Sequence, residues 1–298
     1  MIFSFLRAKA LQTADFAMGV IFPERVCSFV FEKIKEKREN HVLEVKQFSD
    51  QHHFFSSDHP LIGVVTEREQ DVWLVADFLK LMFDKAPSAY LELMTMEVLA
   101  KILAFRCLKV GMELLIPIKG TLARYFVDQV ILLDEGVPAF GLVAFNDTAP
   151  SLLLFRGTEL SWKGRKSIVC DLDFKGVGYS RFIKTLPQIS SWLKSAYQPQ
   201  VLGLSLGGIF AIYALLYHYE LVTSATVFGP PGLRGKAYQK WQELDLNKKL
   251  TVYVTKGDCV PKYGHLVGTI KEFSLDKKLY PLTAHTKLMT AEPSYYLA

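Results

Sequence analysis

Hydrophobic spacing along this chain changes character near residue 120. Before that point, residues 74–83 and 91–115 are rich in Leu, Met, Ala and Lys, which favour helix. Pro87-Ser88 separates the two blocks and supplies a stop followed by a new N-cap. Beyond residue 120 the apolar runs become short. Residues 125–133 read as a strand, Asp134-Glu135-Gly136 as a turn, and residues 139–145 as the returning strand. Four further runs, 152–155, 201–204, 226–228 with its lead-in, and 250–254, alternate with helical stretches such as 182–197 and 209–219. Strands alternating with helices predict βαβ units. The expected class is therefore α/β, a mostly parallel sheet flanked by helices. A mainly helical N-terminal region (1–115) precedes the α/β domain (116–298).

One stretch resembles a membrane span. No charged residue occurs in 195–219 apart from His218, and 201–217 is strongly apolar. Gly203, Ser205, Gly207 and Gly208 near its start instead favour a short strand, a tight turn and a buried helix.

Composition narrows the picture only modestly. Half of the 298 residues are hydrophobic and 22% are charged, enough apolar material for a sizeable core. The net charge of +5 permits attraction to an anionic surface, and no nucleic-acid-binding signature accompanies it. Cys27, Cys107, Cys170 and Cys259 are scattered and specify neither a metal site nor a disulfide framework, which favours a reducing compartment. Arg7, Lys9 and Asp15 interrupt the apolar N-terminus, so it makes a poor signal peptide. The expectation is a soluble or peripheral membrane protein, with the cytoplasm favoured. His52, His53 and His59 lie among Phe, Ser and Asp without matching carboxylates, and read as a polar loop rather than a metal site.

The chemistry concentrates after strands. Gly203-Leu204-Ser205-Leu206-Gly207 is a G-x-S-x-G sequence between a predicted strand and a predicted helix. Such a turn lifts the serine oxygen above the sheet, and the small residues let backbone and helix approach closely. A glycine-rich packing turn is the plain alternative. A serine hydroxyl needs a base. In folds that use this turn, the partners follow in the order Ser, Asp or Glu, His. Asp258 stands just after the 250–254 strand, where the acid belongs; a surface-turn acid beside Gly257 is the plain alternative. Two histidines follow. His265 is only seven residues beyond Asp258, whereas His285 lies on a separate segment able to return between acid and serine, and is preferred. Phe155-Arg156-Gly157-Thr158 follows another strand. The amide of Leu206, with the amide or hydroxyl of Thr158, could hold a developing oxyanion. Arg156 reads as a structural ion-pair residue. Trp162 with Lys163, Arg165 and Lys166 suits contact with an anionic membrane, or forms a solvated loop with one anchoring ring.

Taken in order, these motifs resemble the class 3 lipases over roughly residues 125–290. Phe155-Arg-Gly-Thr158 is similar to the family's oxyanion motif, and Thr158-Glu-Leu-Ser-Trp162 through Asp171-Leu172 to its lid region. Gly203-Leu-Ser-Leu-Gly-Gly208 resembles the nucleophile elbow, and Phe228-Gly-Pro-Pro-Gly232 the end of the following strand. Gly257-Asp258-Cys-Val-Pro261 resembles the acid motif, Tyr263-Gly-His265 a non-catalytic histidine motif, and Ala284-His285 the catalytic histidine. Leu204 replaces the histidine usual before the nucleophile, and Gly176-Val-Gly178-Tyr179 lacks another; neither position belongs to the family's catalytic three. The resemblance implies an α/β-hydrolase fold and a serine hydrolase of lipid esters, a lipase or phospholipase A. Ser205, Asp258 and His285 would form its triad, without metal or cofactor. Its partner would be a lipid or acyl-ester substrate, with peripheral contact to an anionic membrane. An esterase or thioesterase for soluble acyl groups is one rival. A binding or effector protein with a vestigial core is another.

Overall fold

Alternating side chains on the central strands divide the interior in two. The computed structural model describes residues 88–101, 103–105, 108–118, 121–133, 137–145, 149–157, 176–274 and 284–285. Strands β1 (Glu113–Ile118), β2 (Thr121–Leu133), β3 (Val137–Ala144), β4 (Leu152–Phe155), β5 (Gln200–Leu204), β6 (Ser224–Phe228), β7 (Leu250–Thr255) and β8 (Thr269–Phe273) form an eight-stranded sheet in sequence order. Strands β1 to β4 pair antiparallel, and β4 to β8 pair parallel. In β4, Leu152 and Leu154 enter one core while Leu153 and Phe155 enter the other. In β5, Leu202 and Leu204 face the first and Val201 the second. This period of two on strands buried from both sides is what a parallel sheet demands.

Parallel strands laid side by side in chain order, joined by crossovers of one hand, send their connecting helices to one face. Helices α2 (Tyr179–Ser195), α3 (Leu206–Tyr217) and α4 (Gly235–Leu244) accordingly contribute Phe182, Trp192, Ile209, Phe210 and Trp241 to a single core. The opposite face is covered by α1 (Ser88–Lys101), whose Met94, Val98 and Leu99 join Leu103 in the other core. Residues 206–216 of α3 are all buried, which explains why its sequence is apolar all round and mimics a membrane span. Strand β5, a turn and α3 occupy that stretch, and no helix among the described residues is long and apolar enough to cross a membrane.

The expected helix over 91–115 is corrected. Helix α1 ends at Lys101, a short 3-10 turn covers Leu103–Phe105, and Glu113–Ile118 is a strand. Pairing with β2 lets Leu114, Ile116 and Ile118 bury on one side at a period of two, overriding the weak helical preference of Leu. Strand β2 is also longer than expected. It carries an irregularity between Val127 and Gln129, and Trp192 Nε1 donates to Asp128 Oδ2 at 3.1 Å there. Residues 74–83, the turn at 134–136, the His52, His53 and His59 segment and Cys27, Cys107 and Cys170 lie outside the described residues.

Candidate active site

Ser205 stands between β5 and α3 with φ 57° and ψ −122°, a conformation that L side chains rarely adopt. Two glycines make this turn possible. A Cβ on Gly203 would stand 2.2 Å from the Gly207 carbonyl oxygen, and one on Gly207 would stand 2.3 Å from that of Phe155. The turn is tied down on both sides. Ser205 N donates to Phe228 O at 2.9 Å, and Ile209 N donates to Ser205 O at 3.1 Å. Leu206 is the first residue of α3. First-turn amides of a helix point outward without intrahelical acceptors, and they carry the positive end of its dipole.

The strand beside β5 brings the other groups. After β6, Gly229 turns with φ 49°, and a Cβ there would stand 2.7 Å from Asp258 Oδ2 and 2.9 Å from His285 Nδ1. Asp258 follows β7, and His285 Nδ1 lies 2.8 Å from Asp258 Oδ2. Both residues are buried, at 4% and 8% exposure. Val260 N donates to Asp258 Oδ1 at 2.9 Å, so each carboxylate oxygen has a partner. A carboxylate only accepts, which places the imidazole proton on Nδ1 and leaves Nε2 as the acceptor. A strained serine turn, a helix start and a buried Asp–His pair thus meet at the carboxyl ends of β5, β6 and β7. The fold is α/β, an eight-stranded mostly parallel sheet flanked by helices.

His265 is exposed, bridges Leu233 through its backbone and stacks on Tyr238 at 4.3 Å and 21°. The Phe155–Gly157 turn reaches the serine turn: a Cβ on Gly157 would stand 2.7 Å from Leu204 O. The Arg156 guanidinium lies over the Phe105 ring at 5.5 Å. Thr158, Trp162, Lys163, Arg165 and Lys166 lie outside the described residues. Among the described residues no group of three or more His, Cys, Asp or Glu could hold a metal ion. Sequence reasoning passed over Gly229 as a contact of the Asp–His pair. Its only signal was the Phe228-Gly-Pro-Pro-Gly232 run directly after a strand.

No family model and no curated protein matches the chain. Several solved structures are similar to it at a distance. The Lip2 lipase from Yarrowia lipolytica is 19% identical over 54% of this chain and 69% of its own, with a TM-score of 0.37. A variant of MDLA from Penicillium cyclopium is 19% identical over 62% and 77%, with a TM-score of 0.43. A triacylglycerol lipase from Penicillium expansum is 14% identical over 64% and 82%, with a TM-score of 0.40.

Proposed function

We propose that this protein is an α/β-hydrolase, a serine carboxylic ester hydrolase acting on lipid esters, a lipase or phospholipase A. One observation carries the reading: a buried Asp258–His285 hydrogen bond is packed against Gly229, whose preceding residue Phe228 accepts the amide of the strained Ser205. His285 Nε2 accepts the proton of Ser205 Oγ as that oxygen attacks the ester carbonyl. Asp258 holds the imidazole in the required tautomer and stabilises the imidazolium that forms. The Leu206 amide, at the start of α3, and Thr158, just beyond Gly157, hold the oxyanion of the tetrahedral intermediate. The imidazolium then returns its proton to the leaving alcohol, leaving an acyl group on Ser205. Water, deprotonated by His285, hydrolyses that acyl-enzyme and frees the acid and the serine. Residues 116–298 carry this chemistry, and α1 backs the sheet beneath it.

A fluorophosphonate probe tests the reading directly, because it reacts with an activated serine. Wild type should label, while Ser205→Ala and His285→Ala should lose labelling and at least about a thousandfold of p-nitrophenyl ester turnover. Equal labelling of Ser205→Ala would remove the assignment of the nucleophile. His265→Ala should retain substantial activity, within about tenfold of wild type, and the reverse ranking of the two histidines would move the base to His265.

A further inference from the structure

Asp258 sits on a long connection between β7 and β8, and exposed loops hold a carboxylate in place poorly unless something fastens them. A second set of contacts fastens this one. Leu233 and His265 exchange backbone hydrogen bonds, each at 2.9 Å, and Gly232 N donates to Tyr263 O at 2.6 Å. The two backbones pass so closely that a Cβ on Gly264 would stand 2.5 Å from Gly232 O. Side chains lock the crossing from both ends. The Arg234 guanidinium donates to the Tyr263 hydroxyl and lies over its ring at 4.8 Å, and the Tyr238 and His265 rings stack at 4.3 Å. Arg234 and Tyr238 belong to the start of α4, reached from Gly229 by a short turn. The clasp therefore joins the loop that carries Asp258 to the loop whose first residue, Gly229, lies so close to Asp258 and His285 that a Cβ there would clash with both.

We propose that the Tyr238–His265 stack and the Arg234–Tyr263 pair form a positioning clasp that sets Asp258 against His285. His265 thus acts as a flat ring in a stack and takes no proton from the serine. Its kinetic consequence rests on the hydrolase reading above; its structural consequence does not.

The test compares His265→Ala, His265→Phe and Tyr238→Ala in the full chain. Losing one stacked pair should lower kcat for a p-nitrophenyl ester about two- to tenfold, with KM unchanged, in both alanine variants. His265→Phe keeps a stacking ring without a titratable nitrogen and should recover wild-type kcat to within about twofold. Hydrogen exchange supplies a readout independent of activity. The amides of Leu233, His265 and Val260 should exchange faster in both alanine variants and return to the wild-type rate in His265→Phe. Unchanged exchange in the alanine variants would overturn the clasp, as would a His265→Phe variant as impaired as His265→Ala. Complete loss of turnover in both His265 variants would make His265 the base instead. Faster exchange in the alanine variants, together with a wild-type protein that no fluorophosphonate labels, would leave the clasp standing and refute the hydrolase reading.

Discussion

At Ser205 the backbone holds a conformation that costs about 1–3 kcal/mol and that glycine adopts freely. The strain persists because the turn is tied to Phe228 and Ile209, and it puts the serine oxygen above the sheet. Ser205→Gly should therefore abolish ester hydrolysis while raising the melting temperature by a few degrees. A melting temperature below that of wild type would show that the turn is not strained. Gly229 carries the opposite constraint. Any side chain there meets Asp258 and His285 at under 3 Å and also disfavours φ 49°. Displacing a reacting group by about 1 Å costs on the order of a hundredfold in rate. Gly229→Ala should lose about that much kcat while keeping a cooperative thermal transition, measured by ester turnover and circular dichroism on the same sample. Turnover equal to wild type would mean the pair shifts at no cost. The sequence marks Ser205 through a pattern of small residues. It marks Gly229 only weakly, because nothing in Phe228-Gly-Pro-Pro-Gly232 says which neighbours it faces.

Elements differ in how plainly their sequences announce them. Strands β4, β5 and β7 were legible because they are buried on both faces and read as short apolar runs between turn residues. Strand β8 carries Thr269, Lys271 and Glu272 and is mostly exposed, so no hydrophobic pattern reveals it. Strand β1 was hidden by Leu-rich composition that long-range pairing overrides. Helix α1 is integral to the α/β body, because it covers a sheet face that the crossover helices leave bare. Leu99→Ala, at a fully buried position of α1, should cost about 2–5 kcal/mol in urea unfolding. Far-ultraviolet dichroism and the fluorescence of Trp192 and Trp241, buried on the other face, should shift together; separate transitions would make α1 an independent unit. His218, at the end of α3, adds a dependence on pH. Burial holds its pKa below the ordinary 6.5, and the charges of Lys194 and Lys240 lower it further. The unfolded chain then binds a proton there that the folded chain refuses. Stability from this group is full above the unfolded value and is lost as pH falls from about 6.5 toward the lower folded value. His218→Gln, which preserves a partner for Ser190 Oγ, should flatten the urea midpoint between about pH 8 and pH 5 relative to wild type. An unaltered slope would place the acid sensitivity elsewhere.

Across the whole molecule, the groups proposed for chemistry gather at the carboxyl ends of β5, β6 and β7, and Gly157 and Gly178 pack beside them. Gly157 packs against the Leu204 carbonyl, and Gly178 against Leu206 and Phe210. Leu204 and Leu206 flank Ser205, so Gly157 and Gly178, which bracket a segment (158–175) outside the described residues, both lie beside the serine turn. That segment carries Trp162, Lys163, Arg165 and Lys166 in a chain of net charge +5. We propose that the Trp162 ring and these basic groups bind an anionic lipid surface. Each basic side chain near such a surface contributes about 1 kcal/mol, so three contribute up to about 3 kcal/mol, on the order of a hundredfold in partitioning. Salt shortens the reach of that attraction to about 8 Å at physiological strength. Replacing Lys163, Arg165 and Lys166 together by Gln should therefore cut hydrolysis of anionic vesicles severalfold or more, and leave a short soluble ester hydrolysed at the wild-type rate. Raising the salt should bring wild type down toward the variant on vesicles while changing neither on the soluble ester. Equal losses on both substrates, or none on vesicles, would make the segment an ordinary surface loop. The protein would then be an esterase of soluble acyl groups, with its chemistry at Ser205 untouched.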